Sequence, residues 1–583
     1  MVPAKRAFEA APAKRIDRFL QEGGLMAPMG RMASRSATAD EICRHSWDVI
    51  VVGTGIGGAT LGQALAKAGL RVLFCERGRS SIASANALTG EYPEQHGQHP
   101  GAILDQPEFE LLRSAGRYAE EVIDQSAKRP RHFVPFLGSG TGGSSALYGM
   151  ALERFFPADF TPRLNHPVVT ETSLEERWPI SYEELLPYYS AAEHLYRVRG
   201  TVDPLRPAAE QQRQFLVPPP TTAGADELFR FFTEKGLHPY RLPMACEFVP
   251  GCRGCQGFLC AKECKNDSAR ICLTPALRDF GATLLDECEV LTVDADRSHV
   301  TGVICHRHGE TIKLRAAVIV LAAGALQTPK ILFRSRSSDW PDGLANGSGM
   351  VGRNLMRHFV DLYLIESKRA GDAAFENHFK ELAFNDYYRL NGVKLGSVQS
   401  FGRLPPAAML FASMVQDARD GSFPWIASAL PLAKPLLMAI LDRMVNGTMA
   451  LATTTEDLPY LDNRIVPEAS AGVDGARVRI SYRIRPEGHA RISHFRRAMQ
   501  EALRPRRWRL VKQAANNQRI AHVCGTCRFG LNPKTSVLDA DNRAHELGNL
   551  YVVDSSFFPS SGGTNPSLTI AANALRVAEH LAR

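Results

Sequence analysis

The chain has 583 residues, 44% apolar and 22% charged, which excludes a disordered or fibrous polymer and exceeds what one compact core can use. Its net charge of +8, from 69 basic and 61 acidic residues, is small for this length and argues against a dedicated nucleic-acid binder. Two or more domains, or one large domain with a second layered onto it, are expected.

Residues 1–45 are rich in Ala, Arg, Pro, Gly and Ser and contain no continuous apolar run and no twin-arginine pair. They read as a flexible tail. With no secretion signal the chain is expected to be cytoplasmic, where its twelve cysteines would be mainly reduced.

"DVIVVGTGIGGATLGQALAKAGLRVLFCERG" begins at Asp48. A buried-type strand over Val49–Val52 is followed by Gly53, Gly55 and Gly58 in G-x-G-x-x-G spacing, a helix-period run through Leu61, Leu65 and Ala68, and a second strand over Val72–Phe74 that ends at Glu76. Gly53 makes the tight turn, Gly55 lets backbone approach a pyrophosphate, and Gly58 lets helix and strand pack closely. The helix N-terminus favours the anion, and Glu76 is placed to accept hydrogen bonds from ribose hydroxyls. This is a dinucleotide-binding unit; by itself it does not separate NAD from FAD.

"FLGSGTGGSSALYGM" from Phe136 carries Gly138, Gly140, Gly142, Gly143 and Gly149, with Ser144 among them. Such a run implies backbone pressed against something flat or anionic. Next comes "CRGCQGFLCAKEC", four cysteines between Cys252 and Cys264. "CEVLTVDAD", which contains Val290, "VTGVICHRHG" and "ETIKLRAAV" alternate as a meander of strands. "AAVIVLAAGALQTPKILFRS" from Ala316 reads as strand, small-residue turn with Gly324, then helix.

Between about 356 and 510 an antiparallel sheet is expected, with "ARVRISYRI" from Ala476 as one strand whose wet face carries Arg477, Arg479 and Arg483. "PWIASALPLAKPLLMAILDRM" from Pro424 is apolar, but Pro431, Lys434 and Pro435 interrupt it, so no integral membrane span is expected. The basic run from His494 reads as a solvated helix face. At the C-terminus, Leu550–Val553 reads as a buried strand ending at Asp554, and Pro566 as the first residue of a final helix capped by Asn565.

These pieces together resemble the glucose–methanol–choline (GMC) oxidoreductases, FAD-dependent alcohol oxidases and dehydrogenases. The resemblance rests on the Gly53–Glu76 fingerprint, "GTGGSS", "WPISYEELLPYY" from Trp178, "AAGALQTPKIL", "VGRNLMRH" from Val351, "HVCGTCRFG" and "VVDSSFFPSSGGTNPSLTIAANALR", in order over residues 46–583. It implies an α/β fold plus an antiparallel sheet: a Rossmann-like FAD-binding domain over 46–355 and 511–583, with a cysteine-rich insert at 246–272, and a substrate domain over 356–510 that makes the first discontinuous. It also implies a catalytic pair, His522 and Asn565, facing the flavin. His522 would take the hydroxyl proton while a hydride moves to flavin N5, and Asn565 would orient the substrate oxygen. Gly53, Gly55, Gly58, Glu76, Gly138, Gly142, Gly143, Ser144, Val290, Gly324, Asp554 and Pro566 form the implied cofactor set, with Asp554 near the ribityl–phosphate part. His132, His358 and His545 are read as ordinary structural histidines.

Ala146 stands where some members carry the histidine that attaches FAD covalently, so non-covalent FAD is expected. Tyr148 stands where many have Asn. Family members often carry cysteines near the 252–264 segment without metal, so structural cysteines are the preferred reading and no metal is favoured. The alternative is an iron–sulfur cluster on Cys255, Cys260 and Cys264, whose C-x4-C-x3-C spacing resembles the three-iron site of some related sugar dehydrogenases, with Cys252 or Cys272 as a fourth thiolate; zinc is a further candidate for such a set. The implied activity is oxidation of a CH–OH group in a sugar, aminosugar, polyol or other small alcohol, with oxygen or another electron acceptor. A lyase or decarboxylase of the same fold, and a non-catalytic dinucleotide-binding protein, are the alternatives.

Overall fold

Apolar runs that end in small-residue turns build the first sheet. In the computed structural model, which describes residues 42, 45–82, 86–96, 106–213, 215–366, 379–420, 425–446, 448–466, 477–518 and 520–583, the strand Ser46–Val52 pairs in parallel with Val72–Cys75 and with Glu310–Leu321. The expected N-terminal tail lies outside the described residues except for Ile42 and His45. Thr283–Leu285 extends the sheet in parallel beyond Val72–Cys75. Leu550–Val552, from the far end of the chain, adds in parallel to Glu310–Leu321.

The expected meander is Cys288–Ala295, Val300–Arg307 and Glu310–Leu321, all antiparallel. Its last strand serves three partners: besides Ser46–Val52, Glu310–Arg315 pairs antiparallel with Gly302–Arg307, and Ile319–Leu321 pairs in parallel with Leu550–Val552. One twelve-residue strand therefore joins the meander to the nucleotide-binding part of the sheet.

The helix Ile56–Lys67 lies against this sheet at short range because its contact positions lack side chains. A Cβ on Gly58 would sit 2.2 Å from the Gly53 carbonyl oxygen, and one on Gly62 would sit 2.3 Å from the Phe74 ring. The C-terminal helix Ser567–Leu581 packs beside it, buried along Leu568, Ala571, Ala572, Ala574 and Ala578.

A second sheet has six antiparallel strands in the order Trp508–Val511, Phe359–Glu366, Thr448–Thr455, Gly396–Ser400, Leu382–Phe384 and Tyr240–Arg241. The antiparallel expectation holds, but "ARVRISYRI" is not part of this sheet. Val478–Ser481 joins a separate four-stranded sheet, pairing in parallel with Val122–Asp124 and antiparallel with Arg464–Val466. Period-2 alternation gives a half-wet strand without naming its partner, and the partner here lies more than 300 residues upstream. The basic run from His494 begins on the helix Pro486–Leu503, whose Phe495, Met499 and Leu503 are buried while Arg496 pairs with Asp361, and continues past it into the strand Trp508–Val511.

In the apolar stretch from Pro424, the expected interruption at Pro431, Lys434 and Pro435 does not occur. Trp425–Asn446 is helical without a break and is long and apolar enough to cross a membrane by length and composition. Pro431 and Pro435 occupy second positions of consecutive helical segments, Leu430–Ala433 and Lys434–Asn446, where a missing N–H costs nothing. The stretch packs on the helix Ala407–Asp420 and leaves Trp425, Leu432, Leu436 and Ile440 exposed.

Candidate active site

The carboxyl ends of four parallel strands, at Gly53, Glu76, Ala322 and Asp554, open on one cavity of about 1210 Å³. That position is where open α/β sheets bind ligands. The volume exceeds the 300–1,000 Å³ usual for one small ligand, leaving room for a dinucleotide together with a substrate.

Of the twelve expected cofactor residues, Gly53, Gly55, Glu76, Gly138, Gly143, Ser144, Val290, Gly324, Asp554 and Pro566 line this cavity. Gly58 and Gly142 stand behind its wall: Gly58 presses on Gly53, and the Gly142 N–H donates to Thr54 Oγ1 at 3.3 Å. The glycines facing the cavity test whether a dinucleotide fits. A Cβ on Gly55 or on Gly324 would meet no protein atom within 4 Å, so both leave open backbone toward the cavity. The Gly138 loop reaches the fingerprint directly, since a Cβ on Gly143 would lie 3.0 Å from Gly55 Cα. With the N-terminus of Ile56–Lys67 beside them, these residues fit a pyrophosphate-containing cofactor.

Glu76, expected to face a ribose, is engaged by the protein itself. Its Oε2 accepts from Thr54 N at 3.0 Å and Thr54 Oγ1 at 2.6 Å, and its Oε1 accepts from Gly78 N at 3.0 Å and Gly140 N at 3.1 Å. One carboxylate thus ties the two glycine-rich loops together. Asp554 plays the same part at the other turn: Gly324 N (2.9 Å) and Thr328 Oγ1 (2.6 Å) donate to Oδ2, and Ser556 N (2.8 Å) and Oγ (2.6 Å) donate to Oδ1.

His522 lies in the cavity wall on a backbone with φ of 55°, a conformation that side-chain-bearing residues seldom adopt. Its Nδ1 is 2.8 Å from His358 Nδ1. His358 Nε2 is 3.0 Å from both the Ser561 and Gly562 carbonyl oxygens. Carbonyls only accept, so His358 Nε2 carries a proton. Burial drives His358 down to about 4, so its ring is neutral and its Nδ1 is bare. His522 Nδ1 must then donate, which leaves His522 Nε2 as the atom with a free lone pair. Burial, then the neighbouring His358 and Lys380, hold His522 well below the usual histidine range.

His358, read from the sequence as an ordinary structural histidine, is thus bonded to His522, a contact the sequence did not announce. The only local signal is its place at the end of "VGRNLMRH". The carbonyls that hold it are fixed in turn: Ser561 Oγ accepts from Asp457 N at 3.0 Å, and the neighbouring Ser560 Oγ accepts from Trp178 Nε1 at 2.8 Å. Trp178 is buried among Phe155, Phe160 and Phe558.

Asn565 lines the same cavity, but it does not cap the last helix. The helix starts at Ser567 with Pro566 at the cap position, and no side chain caps it. Asn565 Oδ1 is instead buried without a hydrogen-bond partner among the described residues, which is costly if left unmet.

The cysteine insert gathers five thiols. Sγ–Sγ separations are 3.7 Å for Cys246–Cys252, 3.2 Å for Cys252–Cys264 and 3.6 Å for Cys260–Cys264, with Cys255 against Cys260. Cys272 is not among them: it is buried against Tyr196 OH at 3.4 Å. Cys246, which lies outside the C-x4-C-x3-C spacing, forms with Cys252 and Cys264 a set close enough to hold a metal ion. Tyr148 lines the cavity with its hydroxyl donated to the Asn266 carbonyl at 2.6 Å.

Comparison with known proteins agrees with this geometry. Residues 245–360 and 443–574 match two family models, both described as GMC oxidoreductase. Paromamine 6'-oxidase of Streptomyces fradiae is 30% identical over 558 residues, covering 92% of this chain and 91% of that protein. The 6'''-hydroxyparomomycin C oxidase of Streptomyces lividus is 29% identical, covering 96% and 95%. The crystal structure of pyridoxine 4-oxidase from Mesorbium loti has the same fold, with a TM-score of 0.57 at 21% identity over 92% of this chain and 99% of that one.

Proposed function

The chain belongs to the GMC oxidoreductases, FAD-dependent enzymes that oxidise alcohols, and we propose that it oxidises a CH–OH group of a sugar, polyol or related small alcohol with His522 Nε2 as the base. The observation that carries this reading is the histidine pair. It leaves one imidazole lone pair free on a cavity that Asn565 also lines, and the Asn565 amide oxygen has no partner among the described residues.

FAD, when bound, supplies the two-electron acceptor for the hydride. Gly53, Gly55, Gly143, Ser144 and Gly324 are the residues that would hold it, with Glu76 and Asp554 fixing their loops. Ala146 offers no attachment point, so we take the flavin to be non-covalent and released by acid precipitation.

The substrate hydroxyl donates to His522 Nε2, and the Asn565 amide fixes the hydroxyl oxygen. As the proton arrives at Nε2, the imidazolium is stabilised through Nδ1–H donated to the bare Nδ1 of His358. His358 cannot swing away, because two carbonyls hold its other nitrogen. Functionally we divide the chain into FAD-binding segments 46–355 and 511–583 and a substrate segment 356–510.

An anaerobic screen of alcohols against the purified flavoprotein tests the reading: substrate-dependent flavin bleaching supports it. Turnover without bleaching would point to lyase or decarboxylase chemistry instead. A second reading of the electron exit rests on the gathered thiols of Cys255, Cys260 and Cys264. Iron and acid-labile sulfide in anaerobically purified protein would give the electrons an outward route to a protein acceptor; their absence leaves oxygen or a soluble acceptor.

A further inference from the structure

Charge is unevenly spread around the cavity. Its wall contains five carboxylates, Glu76, Glu94, Glu121, Glu289 and Asp554. Glu76 and Asp554 are saturated by the hydrogen bonds described above, Glu94 faces Arg117 at 3.1 Å, and Glu121 faces Arg477 at 2.9 Å. None comes from the six-stranded sheet or the helix Ala407–Asp420, the elements that close the cavity opposite the nucleotide-binding sheet. That side instead supplies two cations, Lys380 and Arg419.

Lys380 is an unusual cation. Its ammonium lies 5.7 Å from the Phe401 ring centroid, and among the described residues no carboxylate pairs with it. The acid it senses is Glu153, whose oxygens are already taken by the Tyr240 hydroxyl and by Thr564 Oγ1. Burial lowers Lys380 to about 8, which still leaves it mainly charged at neutral pH. Its influence reaches His522, so it stands near the proposed base.

Lys380 shares a niche with an amide. A Cβ on Gly149 would sit 2.6 Å from Gln256 Oε1, 2.6 Å from Lys380 Cε and 2.7 Å from Lys380 Nζ. With no side chain there, Gly149 lets the Lys380 ammonium and the Gln256 amide oxygen, both on the cavity wall, close on its backbone. Among the described residues Gln256 Oε1 and Gln399 Oε1 are both buried without a partner, and Gln399 is only 3% exposed. Amide side chains with an unpaired oxygen, on the same cavity wall as a cation that no carboxylate pairs with among the described residues, suit a ligand that carries hydroxyls and a negative charge.

We propose that the substrate is an alcohol bearing a carboxylate, a hydroxy acid of the sugar-acid type, with the carboxylate held by Lys380 and the neighbouring hydroxyls by Gln256 and Gln399. The inference rests on reading this cavity as an alcohol-oxidising site. It sets the aminosugar class aside: a substrate ammonium would face Lys380 and Arg419 with no carboxylate on that wall to receive it.

The test uses FAD-loaded protein and three probes sharing a pyranose ring but differing in charge: glucuronate, glucose and glucosamine. Two readouts are taken, anaerobic flavin reduction and perturbation of the oxidised flavin spectrum at equilibrium. We expect glucuronate to act at the lowest concentration and glucosamine at the highest. In Lys380→Gln, with flavin content checked, the preference for glucuronate over glucose should fall by about 10- to 100-fold, the loss of one hydrogen bond to a charged group. Lys380→Arg should restore much of it, which a purely structural lysine would not allow. Tightest response to glucosamine, an unchanged preference in Lys380→Gln, or no Lys380-dependent spectral response to glucuronate, gluconate or acetate at high millimolar concentration overturns the inference. Oxidation of neutral alcohols without charge preference would sink this inference and leave alcohol oxidation standing. Lys380-dependent carboxylate binding with no alcohol able to bleach the flavin would do the reverse.

Discussion

At the scale of single residues, the site turns on which nitrogen of which histidine carries a proton. Two carbonyls fix His358 Nε2 as a donor, His358 Nδ1 therefore accepts from His522 Nδ1, and His522 Nε2 is left free. His522→Ala should retain flavin and lower the rate of flavin reduction about 10²- to 10⁴-fold, the usual worth of a positioned base; fast reduction in a flavin-loaded variant would sink the assignment. The same geometry sets a pH profile. Burial, His358 and Lys380 all push His522 below its ordinary value, so the base stays unprotonated as the pH falls through about 6.5. The acid limb of kcat/KM is expected below that value. Lys380→Gln removes a nearby positive charge, so it should move the limb upward. A limb at or above about 6.5 in the parent protein would contradict the arrangement.

At the scale of elements, the glycine-rich turns separate fold from ligand binding. Gly58 and Gly55 belong to one motif but face different neighbours. A Cβ on Gly58 would meet the Gly53 carbonyl oxygen at 2.2 Å and Ala322 Cβ at 2.9 Å, so Gly58→Ala has to push helix and sheet apart. Gly55 has φ of −63° and nothing within 4 Å of its Cβ, so Gly55→Ala fits the protein itself. We expect Gly58→Ala to lower the melting temperature of the apoprotein. Gly55→Ala should leave that temperature unchanged while FAD affinity drops, a pairing read by calorimetry and flavin titration. Equal flavin affinity in Gly55→Ala and the parent would show that the cofactor does not approach there. These turns were legible in the sequence because strand, glycines and acid follow each other within thirty residues, and the fingerprint helix and the meander appear where the periodicity places them. What the sequence hid depends on partners far apart in the chain. Nothing near Lys380 or Gln399 announces a cavity wall, and nothing in "ARVRISYRI" names Val122–Asp124 as its neighbour. Asn565 misled for a different reason: a side chain ahead of a helix reads as a cap, yet the cap position is Pro566 and the Asn565 oxygen makes no capping bond.

At the scale of the whole molecule, the loop that carries Gly563 and Asn565 is anchored to the second sheet through buried charge. Lys394, on a short strand beside that sheet, forms ion pairs with Asp159 and, at 3.0 Å, with Glu456. Glu456 also faces His166 Nε2 at 2.7 Å. Asp159 accepts from Tyr388 OH at 2.6 Å, and the same hydroxyl accepts from Gly563 N at 3.0 Å, two residues before Asn565. Three distant segments are thus held around one lysine just behind the proposed site. Replacing it by a similarly shaped apolar side chain, Lys394→Met, strands two buried carboxylates and should cost about 3–5 kcal/mol. The sign of its pH dependence follows from Glu456. Lys394, then His166, outweigh burial and hold this carboxyl below its ordinary value, so its stabilising effect is present above about 4.5 and is lost as the pH falls toward its folded value. In Lys394→Met the carboxyl loses its main counter-charge and protonates more readily, which relieves the penalty in acid. The gap in apparent Tm between parent and variant should therefore be wide at pH 7 and narrow near pH 4. A gap of the same size at both would mean that packing around the lysine stem, and not its charge, holds the loop in place.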